Sequence, residues 1–508
     1  MTHRFLVLAL LSLGTPLVLT AQTPPVLFNI KTYGALGDGK ALATRSINQA
    51  IDAASAAGGG TVYFPPGTFL SGSIHLRSNI TLFFEQGSTL LASDDPDVYD
   101  PVESSQKQWD RYQDFGHTYF HNSLIWGEQL HDVAILGQGV IYGKGLTKQA
   151  DQRVGNKAIA LKLCRNVLIR DVSILMGGHF AILATGVDNL TIDNVKIDTN
   201  RDGIDVDSCR HVRISNCSVN SPFDDAIVIK GSHALGFARS SEDLTIANCE
   251  VSGFENGTFL DGGYKRSGPP PERNGPTGRI KIGTESEGSF RNITISNCVF
   301  DYARGLALET VDGAQLEDVS ITNITMRDIA NAPIYIRLGQ RMRAPEGTPI
   351  GALRRVNISN MVVYNADPRY GSMILGTPGH DIEDLKLSHI RIFYAGGGSK
   401  EMAAIQPPEK TREDYPEPYR HGPMPAYGFF IRHVRNIEMT SVEVSYLQED
   451  LRPAFVLEDV QGAEFNLVKA QHAAGVPTFK LSDIRDFSLF HCGLLPDTRL
   501  AHADRKEF

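Results

Sequence analysis

The chain has 508 residues, of which 42% are hydrophobic and 21% charged, with 48 Gly, 26 Pro and a mean hydropathy of -0.17. That composition excludes a disordered or membrane-embedded chain and supplies enough apolar material for a large core. Lys and Arg total 49 against 58 Asp and Glu, a net charge of -9, so bulk charge does not hold a nucleic acid or an anionic membrane, and any acidic ligand needs local cations.

Met1 to Arg4 is a short basic start, Phe5 to Leu19 is apolar, and Ala21 offers a small residue before a polar stretch. This predicts a cleavable secretory signal over residues 1–21 and export to the periplasm or the cell exterior. No later apolar run reaches the ~18 residues that span a bilayer. From Thr44 to Ala57, Ile47, Ala50, Ile51 and Ala54 fall on one helical face, ended by Gly58, Gly59 and Gly60. A short amphipathic helix is predicted there, covering the open end of the strand-forming sequence C-terminal to it.

Further along, one phrase is rewritten many times: NVLIRDVSI from Asn166, NLTIDNVKI from Asn189, HVRISNCSV from His211, DLTIANCEV from Asp243, NITISNCVF from Asn292, DVSITNITM from Asp318 and RVNISNMVV from Arg355, with weaker copies from Asp132, Asp384 and Asn436. Each reads as a short strand, a turn at Asn and another strand. The first apolar positions, from Val167 through Leu190, Val212, Leu244, Ile293 and Val319 to Val356, are spaced 23, 22, 32, 49, 26 and 37 residues apart. A strand-turn unit of 22 residues cannot bury its own apolar face, whereas stacked coils with strands ~4.8 Å apart bury a continuous interior. The predicted fold is therefore all-β, a single parallel β-helix over residues 22–508. Asn194, Asn216, Asn248, Asn297, Asn323 and Asn360 hold one register and are expected to pair their amides from coil to coil. Cys217, Cys249 and Cys298 share the slot of Val195 and Ile324, which reads as buried thiols rather than a disulfide framework. Two Gly- and Pro-rich insertions, at 255–278 and 396–426, are the candidate walls of a groove.

Twelve residues after the first apolar position stand His179, Asp202 and Asp224, with Asp225 alongside. The count places them in one outward column, so three carboxylates crowd one patch. At ~5 Å and an effective dielectric of about 20 two such charges repel by roughly 3 kcal/mol, so one of them is expected to stay protonated near neutral pH. A protonated acid beside ionised carboxylates suits glycoside hydrolysis, in which one group protonates the leaving oxygen and another activates water. Isolated Asp residues bonding their own turns, and a calcium site, are the structural alternatives.

The chain resembles glycoside hydrolase family 28, the polygalacturonase family, over nearly its whole mature length. The resemblance is carried by FNIKTYGALGDGK at Phe28, GGGTVYFPPGTFLSGSIHL at Gly58, NRDGIDVDSC at Asn200, SPFDDAIVIKG at Ser221, IGTESEGSFRNITISNC at Ile282 and ARGLALET at Ala303. It implies a right-handed helix and an inverting, single-displacement hydrolysis of pectic polysaccharide without a metal or organic cofactor. By the same resemblance Asp224 is the general acid, and Asp202 and Asp225 hold and deprotonate the water. Two departures stand out. Thr277-Gly278-Arg279 replaces the family's Gly-His-Gly, and Ala307-Leu308-Glu309 replaces its Arg-Ile-Lys. Fewer cations and an added Glu309 disfavour a galacturonate at the cut, so the chain is more similar to the rhamnogalacturonan-cleaving branch, as is its YPEPYRHGPMPAYGFFIRHV stretch at Tyr415.

Six further residues are candidates for substrate binding. His179 stands on the catalytic column, where it either replaces the absent histidine or is an ordinary hydrogen-bonded residue. Lys230, Arg279 and Lys281 read equally as contacts to an anionic sugar and as solvated strand faces, and Glu285 and Glu309 as cleft acids or as their partners. Arg337, Arg341 and Arg343 read as solvent-exposed. A monomer is expected, without nucleic-acid partner or membrane span. The rivals are a calcium-dependent polysaccharide lyase on the same architecture, and a non-catalytic carbohydrate-binding β-helix.

Overall fold

The computed structural model describes residues 27–103, 108–147, 156–266, 275–410, 415–493 and 495–508. The signal sequence at 1–21 lies outside the described residues, as do parts of both insertions. The helix Thr44–Ala56 buries Ile47, Ala50, Ile51 and Ala54, the four residues its sequence pattern set on one face. It lies against the strands Leu27–Asn29, Gly60–Phe64, Ile74–His75 and Ile80–Phe84.

Strand pairing follows the repeat residue by residue. Val167 pairs with Leu190, and the series continues through Val212, Leu244, Ile293 and Val319 to Val356, every step parallel. The weaker copies join the same column at Val133, Leu385 and Ile437. Among the described strands, only the last, Thr498–Glu507, runs antiparallel, against Phe479–Phe490. Each asparagine of the turn column has a left-handed backbone, which Asn tolerates better than other non-glycine residues. Their amides pair across coils from Asn216 through Asn248 and Asn297 to Asn323 at 3.0–3.3 Å. All six cysteines are buried free thiols, with Cys217, Cys249 and Cys298 at most 2% exposed.

A coil contains three short strands, such as Phe180–Thr185, Asp188–Asp193 and Lys196–Asp198. The second and third alternate buried and exposed positions, one face in the core and one in water. The first does not: Lys157–Lys162, Phe180–Thr185, Asp202–Asp207, Ile227–Gly231, Ile280–Ser286 and Arg304–Thr310 are buried on both faces. Irregular chain covers this sheet from outside. On the N-terminal coils, Phe120 packs with Ala160, Phe180 and Leu183. On the C-terminal coils, Met424, Ala426 and Tyr370 pack over Ala307, Tyr335, Met373 and Phe430. The insertion that begins at Glu255 is tied down differently. The buried Asp198 carboxylate accepts the N–H groups of Gly257, Phe259 and Leu260 at 3.0–3.1 Å.

Candidate active site

Asp202, Asp224 and Asp225 each bring one carboxylate oxygen within 4.8 Å of the others. The predicted convergence is present, but the columns differ from the sequence count. Phe180 pairs with Asp202, and Gly203 N–H bonds the Asp225 carbonyl at 3.0 Å, so Asp202 stacks on Asp225. His179 falls beside Arg201, which falls beside Asp224. The cause is local: from Val167 to Phe180 and from Val212 to Asp225 the chain takes thirteen steps, but from Leu190 to Asp202 only twelve. The shorter turn slides Arg201 into the place assigned to Asp202.

Arg201 therefore sits inside the site. Its guanidinium donates to Asp224 Oδ2 at 2.9 Å, lies 3.9 Å from Asp202 and contacts His179 Nδ1 at 3.0 Å. His179 meets the carboxylates through Arg201, and burial, then the Arg201 charge, push its pKa well below the usual imidazole range, so it is neutral. Gly116 lets the covering chain lie on this pair: a methyl there would stand 2.6 Å from the Phe180 ring and 2.9 Å from His179 Nε2.

On the other side, Arg279 donates to Asp225 Oδ1 at 2.8 Å and to Glu417 at 2.5 and 3.3 Å, and Arg304 donates to Glu417 at 3.1 Å. Lys281 Nζ lies 3.4 Å from Asp225 and 3.4 Å from Glu309. Tyr415 closes this corner, its hydroxyl 3.1 Å from Thr284 Oγ1 and 3.5 Å from Lys281 Nζ. Behind Asp202, Lys230 lies 2.9 Å from Asp205, 3.7 Å from Glu285 and 3.1 Å from His117. The reading of Lys230, Arg279 and Lys281 as solvated strand faces is thus corrected, because the outer face of their sheet is covered. The same holds for Arg337 and Arg341, which are 4% and 9% exposed. Arg337 donates to the Gly376 carbonyl at 2.6 Å, and Arg341 pairs with Asp312. Glu285 and Glu309 are partners of these cations.

Burial, then the charges of Asp224 and Asp205, raise the Asp202 pKa well above the ordinary carboxyl range. Asp225 is buried too, yet Lys281 and Arg279 overcome that burial and hold its pKa far down. The site keeps one carboxyl protonated and one ionised, about 5 Å apart, and the group titrates as a unit. Asp224 is the member nearest solvent, its side chain 25% exposed against 4% for Asp202 and 5% for Asp225. A cluster this tight also has the spacing of a cation site, but Arg201, Arg279 and Lys281 already compensate it, which argues against a divalent ion.

Glu309 gives a pH signature. Burial outweighs Lys281 and Arg279 and pushes its pKa up to about 7, from 4.5. With a folded value above the unfolded one, the native state binds the extra proton, so stability falls as pH rises between about 4.5 and 7. His179 and His421, held neutral, work in the opposite direction over part of that window. Comparison with Glu309→Gln isolates the carboxyl. Thermal melts at pH 5 and pH 7 should show the wild-type chain losing more stability between the two than the variant, and parallel shifts would count against a protonated Glu309.

Several of these residues escaped the sequence reading. Asp205 was legible in principle, because it and Asp207 alternate with Ile204 and Val206 in the run Asp202–Asp207. Arg201 lay between two motif residues, and Glu417 lay inside the YPEPY stretch without a signal of its partner. His117 sits in a segment with no periodicity.

The chain matches a family model described as glycosyl hydrolases family 28 over residues 70–258, which contain all three carboxylates. A second model, rhamnogalacturonase A/epimerase, pectate lyase-like, matches residues 27–93. The chain is 28% identical to a "Probable polygalacturonase" of Vitis vinifera over 72% of its own length and 74% of that protein. It is 34% identical to the "Exo-poly-alpha-D-galacturonosidase" of Dickeya chrysanthemi over 34% of the chain and 29% of that protein. Among solved structures it is similar in fold to an exopolygalacturonase from Thermotoga maritima, with a TM-score of 0.60 and 22% identity over 84% of this chain and 93% of that one. The resemblance to glycoside hydrolase family 28 is supported by the family model and by these relatives, and the architecture they share is the β-helix.

Proposed function

We propose that this polygalacturonase-like glycoside hydrolase cuts a pectic polysaccharide from a chain end by inverting single displacement. The observation that supports it most directly is the convergence of the three carboxylates, with Asp202 held protonated by burial and Asp225 held ionised by Lys281 and Arg279. In the proposed step, the proton that the cluster holds on Asp202 passes to Asp224, which gives it to the glycosidic oxygen as the bond from that oxygen to the sugar's anomeric carbon breaks. A water on the opposite face, held by Asp202 and Asp225, forms the new bond and gives its proton to the ionised Asp225. One proton has left the cluster and one has entered, so redistribution among the three acids resets the site.

Chain-end action is supported by the covered sheet. Phe120 packs on Phe180 at one side and Met424 near Tyr335 at the other, cover that favours a pocket over a through-running groove. Met424 and Ala426 support the 396–426 insertion as one wall, and the residues around Phe120 support a second. For the donor sugar we favour a neutral rhamnose, hence rhamnogalacturonan cut at a galacturonate-rhamnose linkage. Lys230, Arg279 and Lys281 are each engaged by protein carboxylates, which weakens their claim on a uronate. A second reading, exo-polygalacturonase, is favoured by Arg343, a guanidinium 35% exposed and 3.4 Å from Glu285. Export is supported by the basic and apolar start at residues 1–21.

The test is product analysis by mass on rhamnogalacturonan and homogalacturonan side by side in oxygen-18 water. Single sugars or short fragments from rhamnogalacturonan, labelled at the new reducing end, are expected. Release from homogalacturonan alone moves the reading to exo-polygalacturonase. An unlabelled unsaturated uronide whose formation a chelator stops would point to a lyase instead, and an early ladder of oligomers would exclude chain-end action.

A further inference from the structure

The turn that carries Asp224 does not stop at the carboxylates. Gly278 N–H bonds the Asp224 carbonyl at 3.0 Å, Arg304 N–H that of Thr277 at 2.7 Å, Ala330 N–H that of Ala303 at 2.8 Å and Asp367 N–H that of Ile329 at 2.8 Å. These bonds step from coil to coil, about 19 Å in all at ~4.8 Å per coil. Along that line lies a cleft of about 580 Å³. Its floor is apolar, with Pro276, Ala330 and Pro368, and its rim carries Arg266, Tyr302 and Arg369.

We infer that this cleft binds the sugars on the leaving side of the scissile bond, the stretch of pectic chain that departs with the oxygen Asp224 protonates. The inference rests on the hydrolase reading above and adds to it a binding site off the covered sheet. The first argument is access. Asp224 and Arg201 are 25% and 24% exposed, while Lys281, Glu309 and Asp202 are 1%, 0% and 4%. The carboxylates therefore open to solvent at the turn edge, and both flanks of the sheet are closed. A substrate longer than the pocket has to leave along that edge.

The second argument is chemistry. A pyranose offers an apolar face of C–H groups and an equator of hydroxyls, which an apolar floor with a polar rim matches. Here the rim is built of ion pairs, Arg266 with Asp301 at 3.0 Å and with Asp328, and Arg369 with Asp367 at 2.6 Å. Each pair sets donors beside acceptors, as vicinal hydroxyls require, and its cation suits a uronate carboxylate. Tyr302 supplies the third argument. It takes the same left-handed turn as Asp328 and Asn365 on the next two coils, with φ 51, 54 and 61, and this turn sets its side chain at the cleft's edge, where Arg266 lies 4.9 Å over the ring.

The experiment compares kcat/KM for a tetrasaccharide and a dodecasaccharide of the pectic backbone that the enzyme cleaves, in the full chain and in Tyr302→Ala and Arg369→Ala. Arg369 is exposed and its loss leaves the core untouched, and a melting curve of each variant accompanies the kinetics. The long-to-short ratio should fall about tenfold in each variant, mostly through KM. An unchanged ratio in folded, active variants overturns the cleft and spares the hydrolase reading. Failure of the wild-type chain to hydrolyse either substrate overturns both.

Discussion

Asp224→Asn should lower kcat on a pectic substrate by about 10³-fold or more, with KM changed little. General acid catalysis is worth roughly 10²–10⁴ in rate, and an amide of the same shape has no proton of the right acidity to give. The leaving oxygen of a sugar is a poor leaving group unless it is protonated, so nothing else nearby substitutes cheaply: Asp202 is buried behind it and Asp225 is pinned by Arg279 and Lys281. Binding is expected to survive, because the Asn carbonyl still accepts from Arg201. Stability should move by less than about 1 kcal/mol, since the Arg201–Asp224 pair is partly in solvent, where such pairs contribute little. A steady-state comparison with a melting curve decides it. Turnover within tenfold of the wild-type chain would remove Asp224 from the reaction, and unaltered binding without any wild-type turnover would favour a carbohydrate-binding module.

Why the coils were readable and parts of the site were not has a physical basis. The repeat imposes two local demands on every coil, aliphatic residues that face the interior and an Asn that tolerates a left-handed turn, and both show in the letters. Hence the register from Val167 to Val356 could be predicted position by position. The catalytic turns carry no such demand. Their lengths are free to vary by one residue, and one shorter turn moved Arg201 beside Asp224 and set Asp202 on Asp225. The burial of Lys230, Arg279, Lys281 and Arg341 was hidden for a different reason. A strand that alternates apolar and charged residues looks half-solvated, unless something covers its outer face. The cover here is irregular chain around His117, Tyr415 and Glu417, and irregular chain has no periodicity to reveal where it lies. The departures from the family motif were legible as letters, Arg279 and Glu309 among them. What they do, Arg279 pairing with Asp225 and Glu417 and Glu309 with Lys281 rather than meeting solvent, depends on contacts distant in sequence, up to 138 residues apart for Arg279 and Glu417.

Glu417→Ala should cost about 3–5 kcal/mol of stability, because it strips a carboxylate from two buried guanidiniums at once. Glu417 is 4% exposed and accepts from Arg279 at 2.5 and 3.3 Å and from Arg304 at 3.1 Å. Arg279 is itself 2% exposed, so the charge it keeps has little water to turn to. Scaled by the usual unfolding entropy per residue, the loss lowers the melting temperature by about 3–5 °C for a chain of this length. Activity should fall with it, since Arg279 also positions Asp225 and since the strap from Tyr415 to His421 closes the pocket. The pH dependence separates this account from a loss of packing. Glu417 is buried, yet Arg279 and Arg304 hold its pKa below the ordinary carboxylate value, so its contribution is complete above that ordinary value and is lost only as pH falls through the depressed one. The difference between wild-type and variant melting temperatures should therefore be full from pH 5 to 7 and shrink only in stronger acid. A gap that is absent at pH 6, or that stays constant down to pH 3, would mean that the strap is held by its tyrosines and prolines and that the buried charges are compensated from elsewhere.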